Sequence, residues 1–370
     1  MEKTKKRVGF LSYWGFGKGI ATVTLSYAKM LTPEYDVYIL KQGDNKDGKE
    51  FKDAEKENIF VTEYPYYDVE PGYFKTWIKD NKLDAVVFNE YGQWVQDKVN
   101  LVKLAKEEGV RAYGYLIWEH LPNMNLYNDY DKIIAPTHSY EKFLRNQKIR
   151  NFVYIPVSVD LKEFPKEEPK IHNIFTFFHP GGWGGYKNRK STQEVISAFI
   201  KLNRKDTKLI ISSQKKIDYD INSIPDNIEI IDKDLARKEL IDLFYQSDAV
   251  VLPSKWETVG VPILESLAAG KPVITNNYPP MNEFIKEGIN GYLCKPDFIK
   301  VEGVSVNAAI VDEIDLKNKM NNVTNSLLYP LLAKNSRHLA EKLYSIKNNK
   351  KYFLDFLKED LKWKHLLYHM

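Results

Sequence analysis

A chain of 370 residues is long enough, at roughly 150 residues per domain, for two domains that each bury a core of their own. Hydrophobic residues at 43% and charged residues at 28% exclude a disordered chain, a collagen and a disulfide scaffold. With 54 Lys and Arg against 50 Asp and Glu, the net charge of +4 gives no argument for nucleic acid and tolerates an anionic ligand.

The chain opens with MEKTKKRVGFLSYWG, a basic start and a short apolar run that ends in a glycine loop, unlike a signal peptide. No stretch approaches the ~20 apolar residues that a spanning helix needs. Over the first 155 or so positions, short apolar runs alternate with longer amphipathic segments, the pattern of a parallel sheet covered by helices. Strands are predicted at 8–13, 35–40, 85–88, 111–117 and 133–135, and Ile20, Val23, Tyr27, Ala28 and Leu31 recur at helical spacing between the first two. The segment VSVDLKEFPKEEPKIHN carries two prolines and clustered charges, as an exposed linker does, and places a boundary near residue 165. The alternation then restarts, with strands predicted at 174–178, 208–212, 228–231, 249–252 and 272–275. Two doubly wound domains facing one another would form a cleft at the carboxyl ends of their strands. The last segment sets Phe353, Phe356, Leu357, Leu361 and Leu367 among lysines. This suits first a terminal helix docked on a core, with peripheral contact with a membrane as the alternative. Cys294 is the one cysteine, so there is no intrachain disulfide or thiolate zinc cluster, in keeping with a reducing cytoplasm. The histidines do not fall at zinc-ligand spacings.

Five segments could carry chemistry. In DAVVLPSKWETVGVPILESLAAGKPVIT a buried-type strand passes through a polar loop into a helix. Pro262 marks the first turn of that helix, and Gly270 and Pro272 end it. Free amides near Val259, Gly260 and Val261 suit a diphosphate. Glu257 and Glu265 bracket that point, about 12 Å apart if helical, where carboxylates can accept from hydroxyls on either side of a bound diphosphate. In FFHPGGWGGYKNRKSTQEVISAF glycines lead into a helix start carrying Lys187, Arg189 and Lys190, cations able to offset charge on a departing diphosphate. A solvated basic loop is the alternative. The loop WGFGKG, with Gly15, Gly17 and Gly19, permits close backbone approach to a ligand. It matches neither the dinucleotide fingerprint nor the P-loop, and a tight turn with no ligand is the alternative. YLIWEHLP brings Trp118, Glu119 and His120 to the end of a strand, where a histidine can donate to a sugar hydroxyl or cap the strand. NEYGQW places Glu90 and Tyr91 similarly.

The segment KWETVGVPILESLAAGKPVI resembles the E-x7-E signature of glycosyltransferase family 4, the retaining enzymes of GT-B fold. YQSDAVVLPS, YDKIIAPTHSYEKFL, YIPVSVDLKEF and the glycine loop resemble the family as well, so the similarity runs from about residue 7 to 295. It implies two Rossmann-like domains facing across a cleft: 1–165 for the acceptor, 166–345 for the nucleotide-sugar donor, and a helical segment 346–370 packing back on the first domain. It implies a hexose transferred, with retention, from a UDP- or GDP-linked sugar to a carbohydrate, lipid or protein acceptor, with no metal. By this similarity His120, Glu257, Arg189 and Lys190 are catalytic. Gly17, Lys187, Arg189, Lys190, Glu257, Thr258, Val259, Gly260 and Glu265 would hold the donor, Glu257 its sugar and Glu265 its ribose. Glu90, Tyr91 and Glu119 would meet the acceptor. The family's phosphate-binding arginine usually sits earlier, where this chain has His179 and Pro180. A sugar phosphorylase or nucleotide-sugar hydrolase on the same fold, and a noncatalytic nucleotide- or glycan-binding protein, are the alternatives.

Overall fold

The computed structural model describes residues 5–13, 19–43, 57–66, 68–89, 99–117, 124–170, 172–182, 188–214 and 224–361. The chain forms two compact units, Met1–Ser158 with Ile346–Met370, and Val159–Ser345.

In the first unit β1 (Arg7–Tyr13) leads into α1 (Gly19–Leu31), followed by β2 (Asp36–Gln42), β3 (Ile59–Tyr64), α2 (Pro71–Asp80), β4 (Ala85–Asn89), α3 (Val99–Glu107), β5 (Arg111–Tyr115), β6 (Lys132–Ala135), α4 (His138–Asn146) and β7 (Phe152–Tyr154). The described strands lie in the order β3-β2-β1-β4-β5-β6-β7 and are parallel throughout. Every residue of β4, AVVFN, is buried, which is why it reads as a continuous apolar run: both faces of a parallel sheet are covered by helices. Pro71 opens α2, where its missing N–H costs nothing, and Thr137 caps α4 by accepting from the Tyr140 amide at 3.1 Å. Because β1 has β2 on one side and β4 on the other, the crossovers reverse direction there, and in such sheets the ligand crevice opens at that reversal.

The second unit repeats the plan. Its elements are β8 (Phe175–Gly182), α5 (Thr192–Leu202), β9 (Thr207–Ser213), β10 (Ile228–Asp232), α6 (Arg237–Gln246), β11 (Ala249–Val251), α7 (Val261–Ala268), β12 (Val273–Asn276), α8 (Met281–Phe284), β13 (Gly291–Cys294), β14 (Pro296–Ile299), β15 (Ala308–Val311), α9 (Glu313–Val323) and α10 (Tyr329–Leu343). The parallel order is β10-β9-β8-β11-β12-β13, and β14 and β15 form a separate antiparallel pair. Phe177, Phe199, Leu209, Val251 and Ile274 belong to one buried core. Buried Asp248 starts β11 by accepting from the Thr176 amide at 2.7 Å and from His172 at 2.6 Å. The reversal falls at β8, between β9 and β11. The loops that leave β8 and β11 are therefore neighbours.

The last described helix, α11 (Ile346–Asp360), belongs to the first unit and packs on α1. Phe353 sets its ring edge against Tyr27 and Phe10, with centroids 5.6 and 6.5 Å apart, and Asp360 accepts from the Tyr113 hydroxyl at 2.7 Å. The apolar stripe of this amphipathic helix is thus spent on packing: Phe353 and Leu357 are buried. No helix among the described residues is long and apolar enough to cross a membrane.

The strands expected from sequence are present, with ends moved by a few residues. β8 runs on to Gly182, past 178, because β9 also extends and pairs with it to Ser213 through an irregularity at Pro180–Gly182. The sequence reading did not identify β3, β7, β13, β14 or β15, which are short or half exposed. In β3 the burial pattern alternates weakly, and β14 buries only Pro296.

Candidate active site

The turn after β8 and the loop after β11 build a charged cluster. Asn188 and Ser191 both have φ in the left-handed region, 54° and 56°, a conformation that costs a non-glycine residue of order 1–2 kcal/mol. Asn188 holds the turn by accepting from the Thr192 amide at 3.1 Å and donating to Glu194 at 2.8 Å. This tight turn presents Arg189 and Lys190 side by side. Arg189 Nη1 donates to Glu257 Oε2 at 2.6 Å and to the Trp256 carbonyl at 3.3 Å, and Lys190 Nζ donates to the other oxygen, Glu257 Oε1. Lys190 is 8% exposed and Glu257 5%. Burial pushes the Glu257 carboxyl up, but the Arg189 and Lys190 charges and the Lys190 hydrogen bond outweigh it and hold the group at about 2. Its ionised form thus contributes stability above the ordinary carboxylate range, and that contribution is lost as pH falls from about 4.5 toward 2.

Among the described residues two cations face one carboxylate beside the start of α7. There Gly260, at φ 81°, forms the left-handed N-cap. Pro262 has no N–H, and the Ile263 amide already bonds the Gly260 carbonyl at 2.8 Å. Among the described residues the Gly260 and Val261 amides make no hydrogen bond. Arg189, Lys190, Glu257 and this helix start together have the charge and the open donors that an anion can meet. Thr258 and Val259, between Glu257 and the cap, are buried.

The loop itself is clamped from below by Asn276 at the end of β12, whose Nδ2 donates to the carbonyls of Pro253, Ser254 and Ala309 at 3.0–3.1 Å. The Lys255 amide bonds the Arg189 carbonyl at 2.8 Å, which ties the two halves of the site together. Asn276→Ala would leave these buried carbonyls without their donor. It is expected to cost about 2 kcal/mol and to lower donor affinity, read by urea unfolding and by nucleotide titration. Unchanged values in both would remove Asn276 from this role.

Glu265 lies inside α7 and is 2% exposed. Its Oε1 accepts from Arg237 Nη1, and Arg237 reaches Glu163 through Nε at 2.9 Å and Nη2 at 2.8 Å. Burial works against the Arg237 charge, and Glu265 and Glu163 more than compensate, so its pKa is raised. The guanidinium also lies over the Phe164 ring, 5.6 Å from its centroid. The second glutamate of the spacing is therefore held in place by a partly buried arginine that sequence reasoning missed.

His179, at the position where the family resemblance expects an arginine, is fully buried. Nδ1 lies 2.7 Å from the Val251 carbonyl, which can only accept, so that nitrogen carries the hydrogen and Nε2 accepts from the Thr192 hydroxyl at 2.9 Å. Burial draws the ring pKa from 6.5 down to about 4, with the Val251 bond opposing and Lys190 adding to the fall. His179 joins β8, β11 and α5 as a neutral group. Between pH 6.5 and 4 the unfolded chain binds a proton that the folded one does not, so stability falls with pH across that window, by about 3 kcal/mol in all. His179→Gln is expected to flatten this limb in unfolding curves recorded from pH 7 to pH 4, and an unaltered limb would contradict the assignment.

The structure brings together Arg189, Lys190, Glu257, Thr258, Val259 and Gly260, with Glu265 about one turn into α7. Gly15, Gly17, Lys187, Glu90, Tyr91, Trp118, Glu119 and His120 lie outside the described residues. At the carboxyl edge of the first unit's sheet, Ser12 and Asn89 converge on Thr24 at 2.7 and 2.6 Å, and buried Lys41 lies 3.6 Å from Glu63. Of these, only Ser12 falls inside a strand predicted from sequence; Lys41 and Asn89 lie just past the predicted ends, and β3 is not among the predicted strands. Among the described residues no group of three or more His, Cys, Asp or Glu side chains could hold a metal ion.

Residues 183–323 match the family described as "Glycosyl transferases group 1". An uncharacterized glycosyltransferase of Haemophilus influenzae is 23% identical over 91% of this chain and 96% of its own length. An alpha-monoglucosyldiacylglycerol synthase of Streptococcus pneumoniae is 26% identical over 60% of this chain and 53% of its own. Among solved structures, Anabaena HepE in complex with UDP and glucose aligns with a TM-score of 0.74 at 15% identity, over 96% of this chain and all of that one. A glycosyltransferase from Rickettsia africae aligns at 0.73 and 19% identity, over 97% and 100%. The two units are the two Rossmann-like domains of the GT-B fold.

Proposed function

We propose that this chain is a glycosyltransferase that moves a hexose from a nucleoside-diphosphate sugar to an acceptor and retains the anomeric configuration. The observation that carries the reading is the cluster of Arg189 and Lys190 against Glu257 at the start of α7, with two amides at its edge that make no hydrogen bond among the described residues. A bound diphosphate would meet Arg189, Lys190 and the Gly260 and Val261 amides. The arriving phosphates would take over the two cations, and the carboxylate of Glu257 would then accept from hydroxyls of the donor sugar. Glu265, oriented by Arg237, would accept from the ribose hydroxyls.

In the transfer, the bond between the sugar C1 and the diphosphate oxygen breaks and the acceptor oxygen bonds C1 on the same face. The acceptor's proton passes to the departing phosphate oxygen. Arg189, Lys190 and the helix start stabilise the negative charge that grows on the diphosphate, and in a site shut off from water such fixed charges act strongly. We assign Gly17 and Lys187 to the donor side, His120 to the reacting carbon, and Glu90, Tyr91 and Glu119 to the acceptor. The complex of HepE with UDP and glucose favours UDP-glucose as the first donor to try, and the Streptococcus pneumoniae synthase favours a lipid-linked acceptor.

The test is nucleotide release from UDP-, GDP- and ADP-hexoses with and without carbohydrate and lipid acceptors, and assignment of the product's anomeric configuration by proton NMR. An α-linked product from an α-linked donor is expected. A β-linked product would overturn retention, and release that never requires an acceptor would point to a hydrolase.

A further inference from the structure

The second unit holds a cavity of about 290 Å³ walled by residues 166–169, the turn that ends α7, and α10. It shares no residue with the Arg189–Lys190–Glu257 cluster, and the proposed transfer leaves it unused. Lys271 lines it and is only 9% exposed. Among the described residues, its ammonium makes one hydrogen bond, a long one of 3.4 Å to the Tyr245 carbonyl. Of the two carboxylates whose charge acts on it, Asp248 is already spent on His172 and the Thr176 amide, and Glu167 is exposed. A buried ammonium with three donors and one weak acceptor is costly unless an anion completes it.

The rest of the wall adds cations: Lys166, Lys334 and Arg337 line the same space. Of the acidic residues there, Glu341 is bonded by Arg337 at 2.8 Å, Glu168 stands 3.9 Å from Lys334, and Glu167 is exposed. Arg337 also donates to the Ala268 and Phe164 carbonyls at 2.5 and 2.6 Å, so the carbonyl end of α7 that would repel an anion is partly covered.

We propose that this cavity binds a small phosphoryl-bearing anion, with the phosphoryl group on Lys271 and the cations of α10 around it. Its volume, near the lower end for small-molecule sites, suits free phosphate or the monophosphate of one sugar.

Calorimetric titration of the full chain with inorganic phosphate, with a hexose monophosphate and with the uncharged hexose tests this. Both phosphoryl compounds are expected to bind and the hexose not to. The tighter of the two identifies the source: the sugar phosphate if the hexose adds contacts, free phosphate if it does not. Lys271→Met is expected to weaken binding at least tenfold, and Lys334→Ala, on the exposed rim, at least threefold. Should Lys271→Met fail to fold, Lys334→Ala decides alone. Absence of binding, or binding unchanged in the variants, overturns the proposal. So does binding that is lost in Arg189→Ala but kept in Lys271→Met, which would place the anion in the candidate active site instead.

Discussion

Glu257→Ala is expected to remove about 3 kcal/mol of stability, a fall of roughly 6–12 °C in the transition of the second unit. The same variant should lower the transfer rate by two to three orders of magnitude. The first effect follows from what the side chain neutralises: Lys190 is nearly buried, Arg189 is partly buried, and both direct their charge at this one carboxylate. Without it, two like charges face one another in a desolvated turn whose backbone is held in left-handed conformations at Asn188 and Ser191. A diphosphate that binds between them should replace the lost charge. Pyrophosphate or the cognate nucleotide is therefore expected to restore part of the melting temperature in Glu257→Ala, about 2.7 kcal/mol at a hundredfold excess over its dissociation constant. The transfer rate should stay low under the same conditions, because the sugar has lost its acceptor of hydroxyl hydrogen bonds. A variant as stable and as active as the native chain would show that the cluster is an ordinary ion pair.

Arg237→Met has the second largest expected effect. Glu265, almost fully buried, and Glu163 share this one guanidinium, so its loss leaves an uncompensated carboxylate beside α7 at a cost of about 3–5 kcal/mol. Pairing it with Glu265→Gln should recover most of that stability, since the buried charge then disappears with its partner, and a double-mutant cycle would give the coupling. On the ribose role proposed for Glu265, nucleotide affinity should not recover, because the amide keeps only one of the two acceptor oxygens and the side chain has lost its orientation. Additive effects in the cycle would show that the short contact between Arg237 and Glu265 carries no energy.

The two predictions also mark what could be read in the sequence. Strands buried on both faces, AVVFN and AVV, announce themselves as apolar runs, and the loop and helix around Glu257 have local signals in Gly260, Pro262 and Gly270. Arg189 and Lys190 are legible because they follow a strand and precede a helix. Arg237 is not, since the partners that give it a role stand 28 and 74 positions away, and a lone arginine at a helix start has no pattern. Asn276 looks like the polar end of a strand, yet it holds three carbonyls of two other segments. His179 shows the limit in another way: the sequence marks a departure from the family pattern, and the burial that makes the ring a neutral link between β8, β11 and α5 appears only when those elements are assembled. Lys271 carries no signal of its own, for its significance lies in the acceptors it lacks.

The central claim is that Arg189 and Lys190 receive the diphosphate of a sugar nucleotide. Calorimetric titration of the native chain and of an Arg189→Ala, Lys190→Met double variant with UDP, GDP and ADP tests it most directly. The variant should be checked for native secondary structure by circular dichroism. One nucleotide is expected to bind the native chain at one site per chain, and the folded double variant to bind it at least a hundredfold more weakly. A native chain that binds none of the three, or a folded variant that binds as tightly as the native, would contradict the assignment.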